Sequence, residues 1–106
     1  MKFDEILKEI QAINKLETKD LATKMIKFNE EYGEMSAEVI KLLGKSYKKY
    51  SRNELTSEMA DTLQVLLAVF DDIYKITGIS TEDVLEEIKN KNIKWKEKIR
   101  QYTDNI

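Results

Sequence analysis

The sequence contains no histidine, no cysteine and no proline, and only three glycines. Without histidine or cysteine the chain cannot form a Ser-His-Asp triad, a thiolate nucleophile, a disulfide, or a zinc site built on those ligands. Any metal ion must therefore be bound by oxygen atoms. The absence of proline, together with the many Leu, Ile, Glu and Lys residues, is typical of an all-α protein.

Charge and hydropathy argue against nucleic acid or membrane as a partner. The 18 Lys and Arg residues are nearly balanced by 20 Asp and Glu residues, which leaves a net charge of −2, so no nucleic acid polymer is expected to bind. The most apolar stretch, residues 63–70, is too short to cross a membrane, and the amphipathic N-terminus does not look like a signal sequence. We expect a single domain over residues 1–106 of a soluble, cytoplasmic protein.

Capping residues and glycines divide the chain into four predicted helices. Thr18 or Asp20 can cap the second helix, and Ser51 and Ser80, each three residues before an acid, have the spacing of a capping box for the third and fourth. A glycine follows the second helix and another follows the third, as expected for left-handed C-terminal caps. The predicted helices span about residues 2–16, 20–43, 51–77 and 80–102.

Apolar residues recur at helical spacing along the first, second and fourth helices, and those of the fourth are expected to face inward. The third helix differs from the others because residues 63–70 are apolar around nearly the whole circumference, so it must be covered on several sides. A chain this small has few helices for that purpose, and we therefore expect a homodimer or homotetramer joined through the third helix. The apolar residues at helical spacing are Phe3, Ile6, Leu7, Ile10 and Ile13 on the first helix; Met25, Phe28, Tyr32, Met35, Val39 and Leu42 on the second; and Val84, Leu85, Ile88, Trp95 and Ile99 on the fourth.

Two pairs of acidic residues, Glu31 with Glu34 and Glu58 with Asp61, occur on the predicted second and third helices. Residues three positions apart project from nearly the same helix face, so two packed helices can direct four carboxylates into one small volume. Mg²⁺, or alternatively Mn²⁺, binds such oxygen ligands. In a glutamate-rich chain a single pair of this kind usually marks only a solvated helix face.

Two observations favour a functional role for these acids. Glu31 borders the apolar stripe of its helix and Glu58 borders Leu55 and Met59, so both are predicted near a helix–helix seam, where an unneutralised charge is costly. None of the four acids has a lysine or arginine four residues later in the sequence. Unpaired acids at a seam indicate a bound cation.

Taken together, the two acidic motifs resemble the signature of the MazG-like family of all-alpha nucleoside triphosphate pyrophosphatases. The match includes the separation of the motifs, the neighbouring Gly33 and Ala60, and the order of the helices over about residues 20–98. The resemblance implies a compact four-helix bundle with magnesium ions that carry the triphosphate of a nucleotide. The metal ligands that it implies are Glu31, Glu34, Glu58 and Asp61.

The resemblance also implies contacts with substrate from the last helix, where Lys91 and Asn92 followed by Lys94 look like the family's Lys-Asn element. An arginine that is usual near the end of this element is not evident here. Asn92 also falls between Ile88 and Trp95 on the predicted apolar face, where a buried amide must be hydrogen-bonded to a ligand, a carboxylate or a neighbouring helix. Lys91 and Lys94 can equally be solvated lysines.

Two further groups of residues can support the site. Glu38 lies one turn after Glu34. Like Glu30, it can support the metal ligands without binding the metal itself. The loop before the third helix can form a basic lid over a polyanion, with Tyr47 or Tyr50 near the base of the nucleotide. A soluble connector is the commoner role for such a loop. Its basic residues are Lys45, Lys48, Lys49 and Arg52.

The resemblance implies a reaction in which a (d)NTP is cleaved to a (d)NMP and pyrophosphate, in housecleaning of nucleotide pools. Since the chain has no histidine, Asp or Glu must fill any role as a base. Two alternatives remain. The chain is either a non-catalytic helical module for oligomerisation or protein interaction, or a bundle with the same metal that acts on another phosphorylated metabolite.

Overall fold

The computed structural model describes residues 2–104, and within that range it consists of α-helices joined by turns and loops, without a strand. The all-α prediction and the order of four helices are confirmed. The predicted boundaries agree closely with the observed ones. The helices are α1 (Phe3–Asn14), α2 (Leu21–Leu42), α3 (Arg52–Thr77) and α4 (Thr81–Asp104).

The predicted helix starts are made by side-chain caps. Asp20 accepts a hydrogen bond of 2.9 Å from a main-chain N–H in the first turn of α2. Ser80 and Asp83 form a reciprocal capping box at α4, with distances of 2.9 and 3.1 Å. At α3, Ser51 accepts a hydrogen bond of 3.3 Å from the N–H of Glu54. These caps satisfy N–H groups that a helix cannot bond internally.

The ends of α2 and α3 are set by glycine. Gly44 has a φ of +71° and Gly78 a φ of +76°, which is the left-handed region that other residues enter at a cost. Both glycines therefore form the C-terminal caps that the sequence predicted.

The described chain divides into two compact units. The first, residues 2–72, contains α1, α2 and most of α3. The second, residues 73–104, contains the end of α3, the turn at Gly78 and α4.

Within residues 2–104, no helix has both the length and the apolar character that a membrane span requires.

Helix α2 buries a polar line instead of the predicted apolar stripe. Its buried residues are Lys24, Glu31 and Glu38, which recur every two turns and so lie in a row along the helix. Most of the apolar stripe is uncovered in the single chain. Periodicity identifies an apolar face without showing what covers it. Phe28 and Met35 are half-buried, and the exposed members of the stripe are Met25, Tyr32, Val39 and Leu42.

The apolar core of the first unit is small. Its buried apolar residues are Ile10 on α1 with Leu67 and Val69 on α3. Phe3 and Ile13, which belong to the apolar pattern of α1, are exposed. Residues 63–70 of α3 are likewise covered only in part. The single chain therefore leaves apolar surface on α3 exposed, which is the property from which the sequence predicted self-association.

Helix α4 has no buried residue among those described. Trp95, expected to anchor a core, is 66% exposed, and of the residues predicted to face inward only Val84 is half-buried. The predicted inward orientation is therefore wrong for the single chain. The other exposed members are Leu85, Ile88 and Ile99.

Buried polar side chains join the three helices of the first unit. The amide of Asn14 on α1 donates hydrogen bonds to the carboxylates of Asp71 at 2.8 Å and Asp72 at 2.9 Å on α3. The ammonium of Lys24 on α2 donates to Asp72 at 2.7 Å. Because these groups are directional and largely removed from water, they specify which faces of the helices pack together.

Candidate metal centre

Three of the four predicted ligands come together between α2 and α3. Glu31, Glu34 and Glu58 each offer one carboxylate oxygen, and these oxygens all lie within 4.8 Å of one another. The two from α2 share a face because they are three residues apart, and α3 contributes the third. Glu31 is buried, Glu58 is half-buried and Glu34 is exposed. The group therefore extends from the packed seam to solvent.

Asp61, the fourth predicted ligand, is not part of this group. It is half-buried on α3 and lines a cavity of about 660 Å³ together with Phe3 and Ile6 of α1. Asp61 therefore lies on the side of α3 that contacts α1, whereas Glu58, one turn earlier, converges with the two carboxylates of α2. Its negative charge nevertheless helps to raise the pKa of Glu58.

Two of the converging carboxylates each have a buried oxygen without a hydrogen-bond partner in the described range. These atoms are Oε2 of Glu31 and Oε2 of Glu58, and Glu31 as a whole is only 5% exposed. Leaving a buried carboxylate oxygen unsatisfied is costly. A hard divalent cation such as Mg²⁺ would satisfy such oxygens, so the residues present fit the metal that the sequence predicted.

The other oxygen of Glu31 already has a cationic partner, the ammonium of Lys27, which lies 2.9 Å from Oε1. Lys27 lies four positions before Glu31, whereas the missing partners in the sequence are those four positions after each acid. The prediction that Glu31 is unpaired is therefore wrong. The hydrogen bond to Glu31, aided by its charge, raises the pKa of Lys27 above its ordinary value.

The crowding of carboxylates changes the acidity of Glu58. Burial raises the pKa of this carboxyl above its ordinary value, and so does the hydrogen bond that its protonated form shares with Glu34. The negative charges of Glu34, Asp61 and Glu31 act in the same direction. Like charges at this separation disfavour further ionisation, and a bound cation would remove that penalty.

Thr62 connects the two helices directly behind the carboxylates. Its buried hydroxyl lies 3.0 Å from the main-chain carbonyl oxygen of Glu31 on α2 and 2.7 Å from that of Glu58 on α3. Thr62 was not among the residues that the sequence predicted for the site. The available signal was a hydroxyl side chain at the start of the apolar run, immediately after the second acidic motif.

An open pocket of about 530 Å³ adjoins the carboxylates and extends to the loop after α2. Glu34, Glu58 and Glu38 line it together with Tyr47 and Lys48 of the loop. The pocket thus combines acidic groups suited to a cation with a lysine and an aromatic ring.

Glu38, predicted to support the metal ligands, is buried in this pocket. Its Oε1 accepts a hydrogen bond of 2.7 Å from Lys41, and its Oε2 is buried without a partner among the described residues. Glu38 therefore retains one oxygen whose capacity to accept a proton or a hydrogen bond is not used by the described residues.

Of the basic residues predicted to form a lid, only Lys48 lines this pocket. Its ammonium lies 5.9 Å from the centre of the Tyr47 ring. Lys45, Lys49 and Arg52 are exposed and are not among the residues that line it.

The predicted substrate residues Lys91, Asn92 and Lys94 are all exposed on α4. They belong to the second unit, whereas the carboxylates belong to the first. The buried amide expected at Asn92 is not found, because the apolar residues on either side of it, Ile88 and Trp95, are exposed as well.

No protein-family model, curated protein or solved structure matches this chain. The resemblance to the MazG-like family therefore rests on the two acidic motifs and on the order of the helices.

Proposed function

We propose that this protein is a Mg²⁺-dependent nucleoside triphosphate pyrophosphohydrolase of the MazG-like kind, which cleaves a (d)NTP to a (d)NMP and pyrophosphate. The observation that carries the proposal is the convergence of Glu31, Glu34 and Glu58, whose oxygens lie within 4.8 Å of one another. Partnerless buried oxygens on two of these residues support a role in cation binding.

In this proposal Glu31, Glu34 and Glu58 hold Mg²⁺ or Mn²⁺, and Asp61, one turn further along α3, adds negative charge beside them. The metal, when bound, neutralises phosphate oxygens and makes the phosphorus more susceptible to attack. The three carboxylates would also help to position the triphosphate, because they come from two different helices and converge on one small volume.

Glu38 is our candidate for orienting the attacking water. Its side chain lines the same pocket as Glu34 and Glu58, its Oε2 has no hydrogen-bond partner among the described residues, and Lys41 holds its other oxygen. As the water oxygen bonds to phosphorus, this carboxylate would accept the proton. The anhydride link between the α- and β-phosphates then breaks, and pyrophosphate leaves.

Basic residues would bind the phosphates that remain exposed. Lys48 is favoured because it lines the pocket that contains the carboxylates, and Tyr47 beside it offers a ring on which a base can stack. The contributions proposed for Lys91, Asn92, Lys94 and Arg52 rest on the sequence alone.

The proposal is tested by measuring pyrophosphate release from a panel of canonical and modified NTPs and dNTPs in the presence of Mg²⁺. We expect Glu34→Gln and Glu58→Gln to lower the rate by about 100-fold or more. Even the replacement of a residue that only hydrogen-bonds to a metal ligand can lower activity by about 100-fold. Glu5→Gln, an exposed acid on α1, is the matched control and should retain activity. Full activity in both site variants would overturn the assignment.

The exposed apolar residues favour a second candidate, a homo-oligomeric module without catalysis. Most of the stripe on α2 and most apolar residues of α4 are exposed in the single chain, and exposed apolar surfaces of this kind commonly form interfaces. Sedimentation analysis would establish whether the chain is a dimer or tetramer. Titration with Mg²⁺ and a non-hydrolysable nucleotide then separates the two functions, because a scaffold would show no coupled binding.

A further inference from the structure

The two oxygens of Glu31 have different environments. Oε1 accepts a hydrogen bond from Lys27 at 2.9 Å, and Oε2 is buried without a partner in the described part of the chain. The side chains also differ in exposure, at 6% for Glu31 and 54% for Lys27. The carboxylate is therefore held within the seam, while the ammonium reaches it from the solvent side.

We propose that Lys27 is a resident counter-ion that a divalent cation displaces from Glu31. This inference rests on the proposed metal site, because Glu31, Glu34 and Glu58 are the ligands of that cation. In the metal-free chain the three carboxylates repel one another, and Lys27 offsets one of their negative charges. A divalent ion held by these oxygens would lie close to the ammonium, so the two cations repel each other and compete for the same carboxylate.

The neighbouring lysines differ from Lys27 in ways that make it the exchangeable one. Lys24 is buried and bound to Asp72 at 2.7 Å. Lys41 is partly buried and contacts two acids, Glu38 and Glu54. Lys27 is half-exposed, and an ion pair open to water is weak and readily replaced.

Lys27 also has space into which its ammonium can move. It lines a cavity of about 280 Å³ whose other polar residues include Asn14, Lys19 and Gln64. Its long side chain can therefore leave Glu31 without displacing packed atoms.

The test compares Mg²⁺ affinity, measured by calorimetry on the full chain, between the wild type and the variants Lys27→Met and Lys27→Gln. Both variants should bind Mg²⁺ roughly fivefold more tightly, since they remove an ion pair that the metal must otherwise break. Lys27→Arg keeps the charge and should restore the wild-type affinity. Lys19→Met removes a charge from the same cavity without touching Glu31, and it should change the affinity by less than about twofold.

A second readout follows the ammonium of Lys27 itself. Its side-chain nitrogen resonance should shift when Mg²⁺ saturates the wild-type protein, because the hydrogen bond to Glu31 is lost. Unchanged or weaker Mg²⁺ affinity in Lys27→Met and Lys27→Gln, or an unmoved resonance, would overturn the inference while leaving the metal site intact. A lack of Mg²⁺ binding in all five proteins would overturn the proposed function as well.

Discussion

The hydroxyl of Thr62 on α3 lies 3.0 Å from the main-chain carbonyl oxygen of Glu31 on α2. The same hydroxyl is 2.7 Å from the carbonyl oxygen of Glu58, one turn earlier on its own helix. A single buried side chain thus links the backbone of two residues whose carboxylates converge on the candidate metal centre. The register of the two helices at this point determines whether the carboxylates meet.

Replacing Thr62 by valine, which preserves its shape and removes its hydroxyl, should weaken both the fold and the site. Loss of this buried hydrogen bond is expected to lower the free energy of unfolding by about 1 kcal/mol. It should also weaken Mg²⁺ binding by up to about tenfold, because the two helices lose a shared anchor. Urea denaturation and calorimetry measure the two effects. Thr62→Ser keeps the hydroxyl and should retain most of the affinity, whereas equal losses in both variants would contradict a role for the hydrogen bond.

Glu58→Gln should stabilise the metal-free protein near neutral pH. Burial, contact with Glu34 and the nearby negative charges raise the pKa of Glu58 in the folded state above its ordinary value of 4.5. The folded state therefore binds this proton more tightly than the unfolded state. The contribution of Glu58 to stability is fully present below the ordinary value and is lost as the pH rises through the raised pKa. Glutamine removes the ionisation and hence this loss.

The measurement is thermal unfolding with a chelator between pH 4.5 and 8, a range that begins at the ordinary pKa value of Glu58. The advantage of Glu58→Gln should grow with pH. Saturating Mg²⁺ should reverse the order, because only the wild type gains the full binding energy of the ion. A stability difference that does not vary with pH would refute this account of Glu58.

Asn14→Ala should destabilise the first unit strongly. The amide of Asn14 donates to Asp71 and Asp72 at 2.8 and 2.9 Å, and it is buried. Hydrogen bonds to charged acceptors are the stronger kind, so we expect a loss of about 2–3 kcal/mol in the free energy of unfolding. Asn29→Ala, at an exposed position on α2, is the control and should change stability little. Comparable effects in the two variants would show that the buried network contributes nothing specific.

Gly33→Ala should stabilise the isolated chain by roughly 0.5–1 kcal/mol, the usual gain for alanine over glycine within a helix. A methyl group at Gly33 would meet no atom within 4 Å, so no clash opposes this gain. If a nucleotide or a second copy approaches α2 at this glycine, the same variant should bind or assemble less well. Chemical denaturation checks the first effect, and a lower stability would indicate contacts that the single chain does not contain.

Helix positions were readily predicted because their signals are local. Asp20, Ser51 and Ser80 cap helices by accepting hydrogen bonds from N–H groups three residues later, and Gly44 and Gly78 end helices through their own backbone conformation. Such interactions depend on neighbouring residues in the sequence and not on how the helices pack.

The direction in which each helix faces was less predictable. On α2 an apolar stripe and a polar row lie side by side, and the polar row of Lys24, Glu31 and Glu38 is the one that is buried. Hydrophobic periodicity cannot reveal this, because it does not show which helix face the rest of the chain covers. Two long-range hydrogen bonds help to fix that choice, from Lys24 to Asp72 and from the hydroxyl of Thr62 to the main-chain carbonyl of Glu31.

The sequence by itself determined an all-α chain of four helices, an oxygen-only set of possible metal ligands, and two acidic pairs at helical spacing. These properties follow from residue composition and from distances along one helix. Only the tertiary structure decided that Glu31, Glu34 and Glu58 converge while Asp61 turns towards α1, and that Lys27 already pairs with Glu31. Those outcomes depend on the rotation and register of one helix against another, which long-range packing and buried hydrogen bonds control.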